Sequence, residues 1–424
     1  MNVWFYAVLI ITVGFWIWEN LLTLLSSRPV DKLPEEVADV YDPEEYSKSR
    51  SYSRAKNKFG MLTSTFQLIL FLCFFLLGGF GWLDEQVRVI AGKSFFSFVP
   101  SFFIRHEVLQ GTLFIGALIV VSGILNLPFS LYSTFVIEEK FGFNKTTLKT
   151  FFKDRIVGLV LAVVLGIPLL TLVLWLFGFA ASDPLTWLYV WAAVFIIQMA
   201  LMYIAPVWIM PLFNKFELLE DGELKDAIND FASKENFALQ GVFKMDGSKR
   251  SSKANAYFTG FGKNRRIVLF DTLIDSMSTD ELVAVLAHEM GHCKKKHIMK
   301  QLGISLISMG LIFYLIQTML NNPSLFEAFQ VKQVSIYASL VFISPLLEPI
   351  NYIIGILSSI LSRKHEYEAD EYSAKSFGKP EKLITALKTL SRDNLSNLTP
   401  HPLQVFTEYS HPPLKERIRA LKQY

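Results

Sequence analysis

Seven long apolar runs set the pattern of this chain, at about 2–24, 59–83, 108–136, 156–181, 185–213, 301–321 and 335–361. Roughly 20 consecutive apolar residues cross the hydrocarbon core of a bilayer, so each run predicts a membrane-spanning helix. The first lacks the basic start and small-residue cleavage site of a signal peptide and is read as an uncleaved span. Two polar stretches, 214–300 and 362–424, are interrupted only by spans six and seven. A hairpin of two spans returns the chain to the face it left, so both stretches are expected to build one domain. The predicted organisation is therefore 1–213, spans one to five with their loops; 214–300, the first part of a catalytic domain; 301–361, spans six and seven; and 362–424, its second part.

Within 214–300 the pattern is α+β. A helix is predicted at about 222–235, strands around Val242 to Met245, Ala254 to Phe258 and Arg265 to Phe270, and a turn over the Gly260-Phe-Gly-Lys-Asn segment. A further helix starts near 279, where Ser278 and Glu281 have capping-box spacing ahead of the apolar run Leu282-Val-Ala-Val-Leu-Ala.

Charge adds an orientation. Lys and Arg gather on the cytoplasmic side of membrane proteins. The segment after span one holds Arg28, Lys32, Lys48, Arg50, Arg54, Lys56 and Lys58, and that after span three holds Lys140, Lys145, Lys149, Lys153 and Arg155. The alternate connections hold only Arg88, Lys93 and Arg105, then none, then Lys332. The N-terminus is accordingly expected outside, and the C-terminus with both polar stretches inside. Composition agrees with a membrane protein: 52% of the 424 residues are hydrophobic and only 19% charged, with a mean hydropathy of +0.36. A net charge of +3 with no basic, aromatic-interleaved stripe excludes a nucleic-acid partner. Cys73 and Cys293 form no disulfide framework.

The chemistry-bearing motif is His288-Glu289-Met290-Gly291-His292. Imidazoles at i and i+4 on a helix share one face and converge on one ion, and a carboxylate next to the first lies about 100° round. It can there take a proton from a water activated by zinc and hand it to a leaving amine. Glu289 is the candidate base, and His288 and His292 are the candidate ligands. A third ligand is needed. Lys295 and Ile298 stand where a metzincin would have Gly and His, which excludes that class. Extrapolated helical periodicity points His297 about 140° from the ligand face, as a solvated side chain. Glu366 and Asp370, i and i+4 on the helix leaving span seven, are better placed. Glu366 would ligate and Asp370 would accept the outer N–H of a ligating His; His365 is the rival ligand. Without a convincing fourth protein ligand, the site reads as open and catalytic, not as a structural zinc in a transporter or lipid-binding protein. The Lys294-Lys-Lys296 run argues against an active site inside a span.

These motifs resemble the type I CAAX prenyl protease family, integral-membrane zinc metalloendopeptidases of gluzincin type. The resemblance rests on Phe135-Val-Ile-Glu-Glu-Lys-Phe-Gly-Phe-Asn144, Ser251-Ser-Lys-Ala-Asn-Ala-Tyr-Phe258, Arg266-Ile-Val-Leu-Phe-Asp-Thr272, the H-E-x-x-H, Glu366 to Asp370, and His411-Pro-Pro-Leu-Lys-Glu-Arg-Ile418. It implies a mainly α polytopic membrane protein, with seven transmembrane helices around an intramembrane chamber and a cytoplasmic α+β metalloprotease domain closing it. It implies one zinc per chain on His288, His292 and Glu366, Glu289 as general base, Asp370 behind the ligands, and Asn255 and His411 as stabilisers of the oxyanion. The implied partners are a peptide or lipidated-protein substrate and membrane lipids. Arg417 is read as half of an ion pair whose partner the sequence does not name. The compact loops and the ending Arg419-Ala-Leu-Lys-Gln-Tyr suit a bacterial inner membrane and a quality-control protease of broad specificity, with the endoplasmic reticulum as the alternative. Glu19, Asn20, Asn126, Glu348 and Asn351 within the spans are read either as chamber lining or as interhelical hydrogen bonds. Phe71-Leu-Cys-Phe-Phe is read as lipid-facing.

Overall fold

The computed structural model describes residues 1–28, 33–92, 107–180, 182–259 and 265–424. The expected turn at 260–264, together with Lys32, Lys93, Arg105 and Ala181, lies outside the described residues. Among the described residues seven helices are long and apolar enough to cross a membrane. They are α1 (Val3–Ser26), α2 (Pro43–Leu76), α4 (Val108–Tyr132, running on to Glu138), α5 (Leu148–Phe179), α6 (Thr186–Leu212), α10 (His297–Met319) and α12 (Ile336–Phe377), with the shorter α3 (Gly79–Ala91) and α11 (Pro323–Ala328) between them. Local chemistry sets their starts. The Asn2 side chain caps α1 by accepting from the Trp4 and Phe5 amides. Asp42 and Glu45 form a capping box ahead of α2, with Pro43 in its first turn.

The longest of these helices far exceeds the thickness of a bilayer. Helix α12 has 42 residues, about 63 Å at 1.5 Å per residue. Its first half belongs to the membrane bundle and its last turns, ending at the left-handed Gly378, belong to the polar domain. The helix continues through Pro345 and Pro349 and carries the acidic motif from one to the other.

The polar domain holds a four-stranded sheet in the order β1-β2-β4-β3, from β1 (Phe216–Leu218), β2 (Gly241–Met245), β3 (Ala256–Thr259) and β4 (Arg266–Phe270). Strands β2 and β4 run parallel, and β1 and β3 pair antiparallel to them, which leaves β3 at an edge. The predicted strands are present; β1, three residues long, had no periodicity to show. Helices α7 (Glu223–Lys234), α8 (Asp271–Ser276), α9 (Thr279–Lys294), α13 (Pro380–Asp393), α14 (Pro402–Glu408) and α15 (Leu414–Leu421) complete the domain. Its core gathers Ile228, Ile267, Leu269, Leu282 and Leu286 between sheet and helices.

The Glu138 to Asn144 block fastens this domain to the membrane bundle. Tyr52 of α2 donates to Glu138 at 2.6 Å, and Lys253, just before β3, pairs with the other Glu138 oxygen at 2.9 Å. Backbone bonds run from Ser252 N to the Phe143 carbonyl and from Lys145 N to the Arg250 carbonyl. Arg250 grips Asp154 of α5 with two bonds of 2.7 and 2.8 Å.

One expectation fails. The Phe71 to Phe75 run is not lipid-facing throughout: Phe75 is fully buried. It stacks on Phe5 at 5.3 Å and meets Phe329 edge-on at 4.7 Å, beside a Phe329–Phe342 stack at 4.0 Å. Hydropathy registers an apolar surface but does not say whether lipid or protein covers it. Phe75→Ala should therefore leave a cavity and cost about 3 kcal/mol, seen as a lowered melting temperature in detergent. Leu77→Ala, at a position 83% exposed, should melt as wild type does. Equal melting of both variants would return Phe75 to the lipid face.

Candidate metal centre

Helix α9 begins where Glu281 accepts from the Ser278 amide at 2.8 Å, and its spacing stacks His288 one turn before His292. Their Nε2 atoms lie 3.2 Å apart. From α12, Glu366 places one carboxylate oxygen 3.5 Å from His288 Nε2 and the other 3.3 Å from His292 Nε2. One ligand atom from each of the three falls within 4.8 Å of the others. The two helices approach this closely because residue 291 is glycine. A Cβ there would stand 3.0 Å from the Ala369 Cα and 3.1 Å from the Tyr372 Cβ. Ser373 locks the contact by donating to the Ala284 carbonyl at 2.8 Å, in the buried interior.

Hydrogen bonds on the far side of each imidazole fix which nitrogen carries the proton. His288 Nδ1 lies 2.8 Å from Asp370. A carboxylate only accepts, so the proton is on Nδ1 and the Nε2 lone pair faces the group. Arg417 holds Asp370 in turn through two bonds, 2.8 Å from Nε and 2.6 Å from Nη2. This supplies the partner that the sequence left unnamed. All four groups, His288, Glu366, Asp370 and Arg417, are buried.

His297 departs from expectation. Helix α9 ends at Lys294, Lys296 takes a left-handed conformation (φ 58°), and α10 starts afresh at His297. Helical periodicity cannot be carried across that break. The chain doubles back and His297 is buried against the site, its Nδ1 3.0 Å from His292 Nδ1 and its Nε2 2.9 Å from Glu368. Glu368 accepts from His297 Nε2–H, so His297 Nδ1 accepts from His292 Nδ1–H, and the His292 Nε2 lone pair also faces the group. His365, the rival ligand, instead stacks on the His297 ring at 4.0 Å. Sequence reasoning missed the His297–Glu368 chain; its trace was a third His and a second Glu close beside each motif.

Two imidazole lone pairs and a buried carboxylate thus converge on one point. Glu366 Oε2 has no hydrogen-bond partner, and Arg417 Nη1, at 3.3 Å, is near but not aligned. This donor set is what a divalent cation of borderline softness requires. Burial pushes the Glu289 carboxyl up, an effect that His288 and His292 partly offset. His411 Nε2 approaches Glu366 to 3.5 Å from a largely exposed position, and Ser410 Oγ lies 2.9 Å from its Nδ1. Asn255 makes no hydrogen bond to this group. It is exposed at the leading end of β3, its carbonyl accepts from the Phe270 amide, and its side-chain oxygen accepts from the Ala256 amide at 2.9 Å, leaving the NH2 free to donate. Burial pushes the Cys293 thiol up to about 11, so it is no ready nucleophile.

Paired imidazoles and a carboxylate on crossed helices, at the end of a membrane bundle, define an integral-membrane metal-dependent peptidase. Comparison with known proteins agrees. Residues 218–424 match the model of peptidase family M48, and residues 24–215 match the CAAX prenyl protease N-terminal region with its five membrane helices. The chain belongs to peptidase family M48 and is a membrane-embedded metalloprotease, a hydrolase of peptide bonds. It is 40% identical to CAAX prenyl protease 1 of Saccharomyces cerevisiae, over 92% of this chain and 88% of that one. It is 32% identical to the CAAX prenyl protease 1 homolog of Homo sapiens, over 99% and 95%. The crystal structure of S. mikatae Ste24p superposes with a TM-score of 0.91 at 37% identity, covering 99% of both chains.

Two predictions follow from the geometry. In the metal-free protein burial opposes charge on His288, but Asp370 and Glu366 overcome it and hold its pKa up at about 9. A raised pKa stabilises the apo fold fully below the ordinary His value and ceases to do so as pH rises through about 9. In the charged ring the second proton sits on Nε2, and metal must displace it to reach the lone pair of the neutral tautomer, so its affinity should climb with pH up to about 9, with about one proton released per metal near neutrality. Titration calorimetry in buffers of different ionisation enthalpy reads this, and absence of proton release would refute it. Separately, His297→Ala should weaken metal retention by about 10- to 100-fold, measured by competition with a chelator, whereas His365→Ala should change it little.

Proposed function

We propose that this protein binds one zinc ion through His288, His292 and Glu366 and uses Glu289 as general base to hydrolyse peptide bonds of lipid-modified substrates. The orphaned Glu366 oxygen between two inward-facing imidazole lone pairs carries the reading. Zinc there would supply Lewis acidity towards the scissile carbonyl and the attacking water.

The remaining steps fall to the chain's own residues. Glu289 takes a proton as water oxygen bonds to the carbonyl carbon, then passes it to the amine as the C–N bond breaks. Its burial favours the protonated form, which suits the second step. Asp370, clamped by Arg417, keeps His288 oriented; Glu368, through His297, does the same for His292. His411, beside Glu366 and open to solvent, and the free NH2 of Asn255 are the donors suited to an oxyanion. Strand β3 is the exposed edge on which an extended peptide can add by main-chain hydrogen bonds.

The substrate class comes from the relatives. Proteins named CAAX prenyl protease align along nearly the whole chain, which supports a prenylated C-terminal peptide over a broad quality-control role. Those relatives are eukaryotic, which supports the endoplasmic reticulum over a bacterial inner membrane. The Lys and Arg distribution supports an outer N-terminus and a cytoplasmic catalytic domain. Glu289→Gln should keep about one zinc per chain by elemental analysis yet lose at least about 100-fold in cleavage of a prenylated peptide. A variant that keeps both zinc and activity would remove Glu289 from its role.

A further inference from the structure

A cavity of about 690 Å3, of small-molecule size, opens beside Asn255, one of the proposed oxyanion donors. Its wall includes Asn255 and Ala254 at the start of edge strand β3, and Tyr409, two residues before His411. It runs from there to Lys56 of α2.

Three observations give the cavity a chemical preference. Its lining carries two cations, Lys56 and Lys253, and no carboxylate. Lys253 is already neutralised by Glu138 at 2.9 Å. Lys56 makes no ion pair within 4 Å among the described residues, and Glu138 acts on it only at longer range; its ammonium lies 5.3 Å from the centroid of the Tyr52 ring. Two cations against the single Glu138 carboxylate leave the cavity one net positive charge. Asn394 Oδ1, in the same wall, is buried with no hydrogen-bond partner. The Asn394 NH2 faces the Ala254 carbonyl at 3.4 Å. An orphaned acceptor beside an edge strand fits a main-chain N–H that arrives with a peptide.

We propose that this cavity takes the short C-terminal end of the substrate, with Lys56 pairing with its terminal carboxylate and Asn394 Oδ1 accepting one of its peptide N–H groups. The proposal rests on the peptidase reading above and adds the feature that selects chain ends. A fragment of about three extended residues reaches about 10 Å, so an anchored carboxylate sets how far from the end the chain is cut.

The test uses the full-length, zinc-loaded protein in detergent and one farnesylated C-terminal peptide made as the free acid and as the carboxamide, with products followed by mass spectrometry. Wild type should prefer the acid by about tenfold or more in KM, as loss of one charge-assisted hydrogen bond implies, with kcat little changed. Lys56→Met should bring the acid-to-amide ratio to about one, and Lys56→Arg should keep the preference, showing a charge effect and not a folding defect. Equal handling of the two peptides by wild type, or an unchanged ratio in Lys56→Met, would overturn the anchor while leaving the peptidase intact. Cleavage of neither peptide by wild type would instead sink the reading on which the anchor rests.

Discussion

Everything in this molecule depends on gathering two buried carboxylates, a buried imidazole and a half-buried one at one crossing of two helices. Such groups are costly to take out of water, and the cost is met only if each is paired with good geometry. Asp370 meets the requirement with two bonds from Arg417 and one from His288. Glu366 does not, because only a partly aligned Arg417 and two imidazole lone pairs face it. The fold has therefore built a place that is satisfied electrostatically by a cation, and it holds that place rigidly. Gly291 lets the helices touch, and the Ser373 bond to Ala284 keeps them there.

That rigidity is transmitted across the membrane boundary. Because α12 is one continuous helix, the position of Glu366 is tied to the packing of Tyr337 and Phe342 in its first half against Phe114, Phe80 and Phe329 in the bundle. The Glu138 block supplies a second tie by a different route. Tyr52, Glu138 and Lys253 link α2, the end of α4 and the approach to β3, so edge strand and metal group are fixed to the same frame. Under the proposed function, a peptide bond added to the strand and a water held at the metal group would meet in a set geometry, which is where much of a rate enhancement arises.

Much of this was legible in the sequence because the signals were local or periodic. The seven spans, the β2, β3 and β4 strands, the capped α9 and the His288–His292 pair each follow from spacing alone. Glu366 and Asp370 could be ranked because the topology of a two-span hairpin returns them to the same face. The misses share a cause. His297 lies beyond a helix break at Lys296 that no Gly or Pro announces, so periodicity was carried one residue too far. Phe75 is buried by segments hundreds of residues away, which hydropathy does not see. Strand β1 is stabilised by its pairing with β2 and not by its own pattern. The partner of Arg417 is likewise a tertiary fact.

The surroundings of the metal group differ on its two sides in a way that suits an amphiphilic substrate. Towards the membrane, a cavity of about 270 Å3 lined by His292, Gln301 and Ser358 shares those last two residues with a further space of about 540 Å3 that reaches Ile312 and Phe313. That path is lined by the imidazoles of His292, His297 and His365 at the metal end and beyond them by small hydroxyls, amides and apolar side chains, with no Lys, Arg, Asp or Glu. Asn351 lines it as well, so among the polar residues of the spans Asn351 faces open space, whereas Asn126 bonds to Gln67 and the Ser122 carbonyl within the bundle. Towards α2 the neighbouring cavity is polar and cationic. A chain that carries a hydrocarbon group near one end of a short peptide and a carboxylate at the other could satisfy both sides only in one direction. His292 lines the first environment, and Tyr409, two residues before the His411 that reaches Glu366, lines the second, so under the proposed function the peptide bond of such a chain would fall between them.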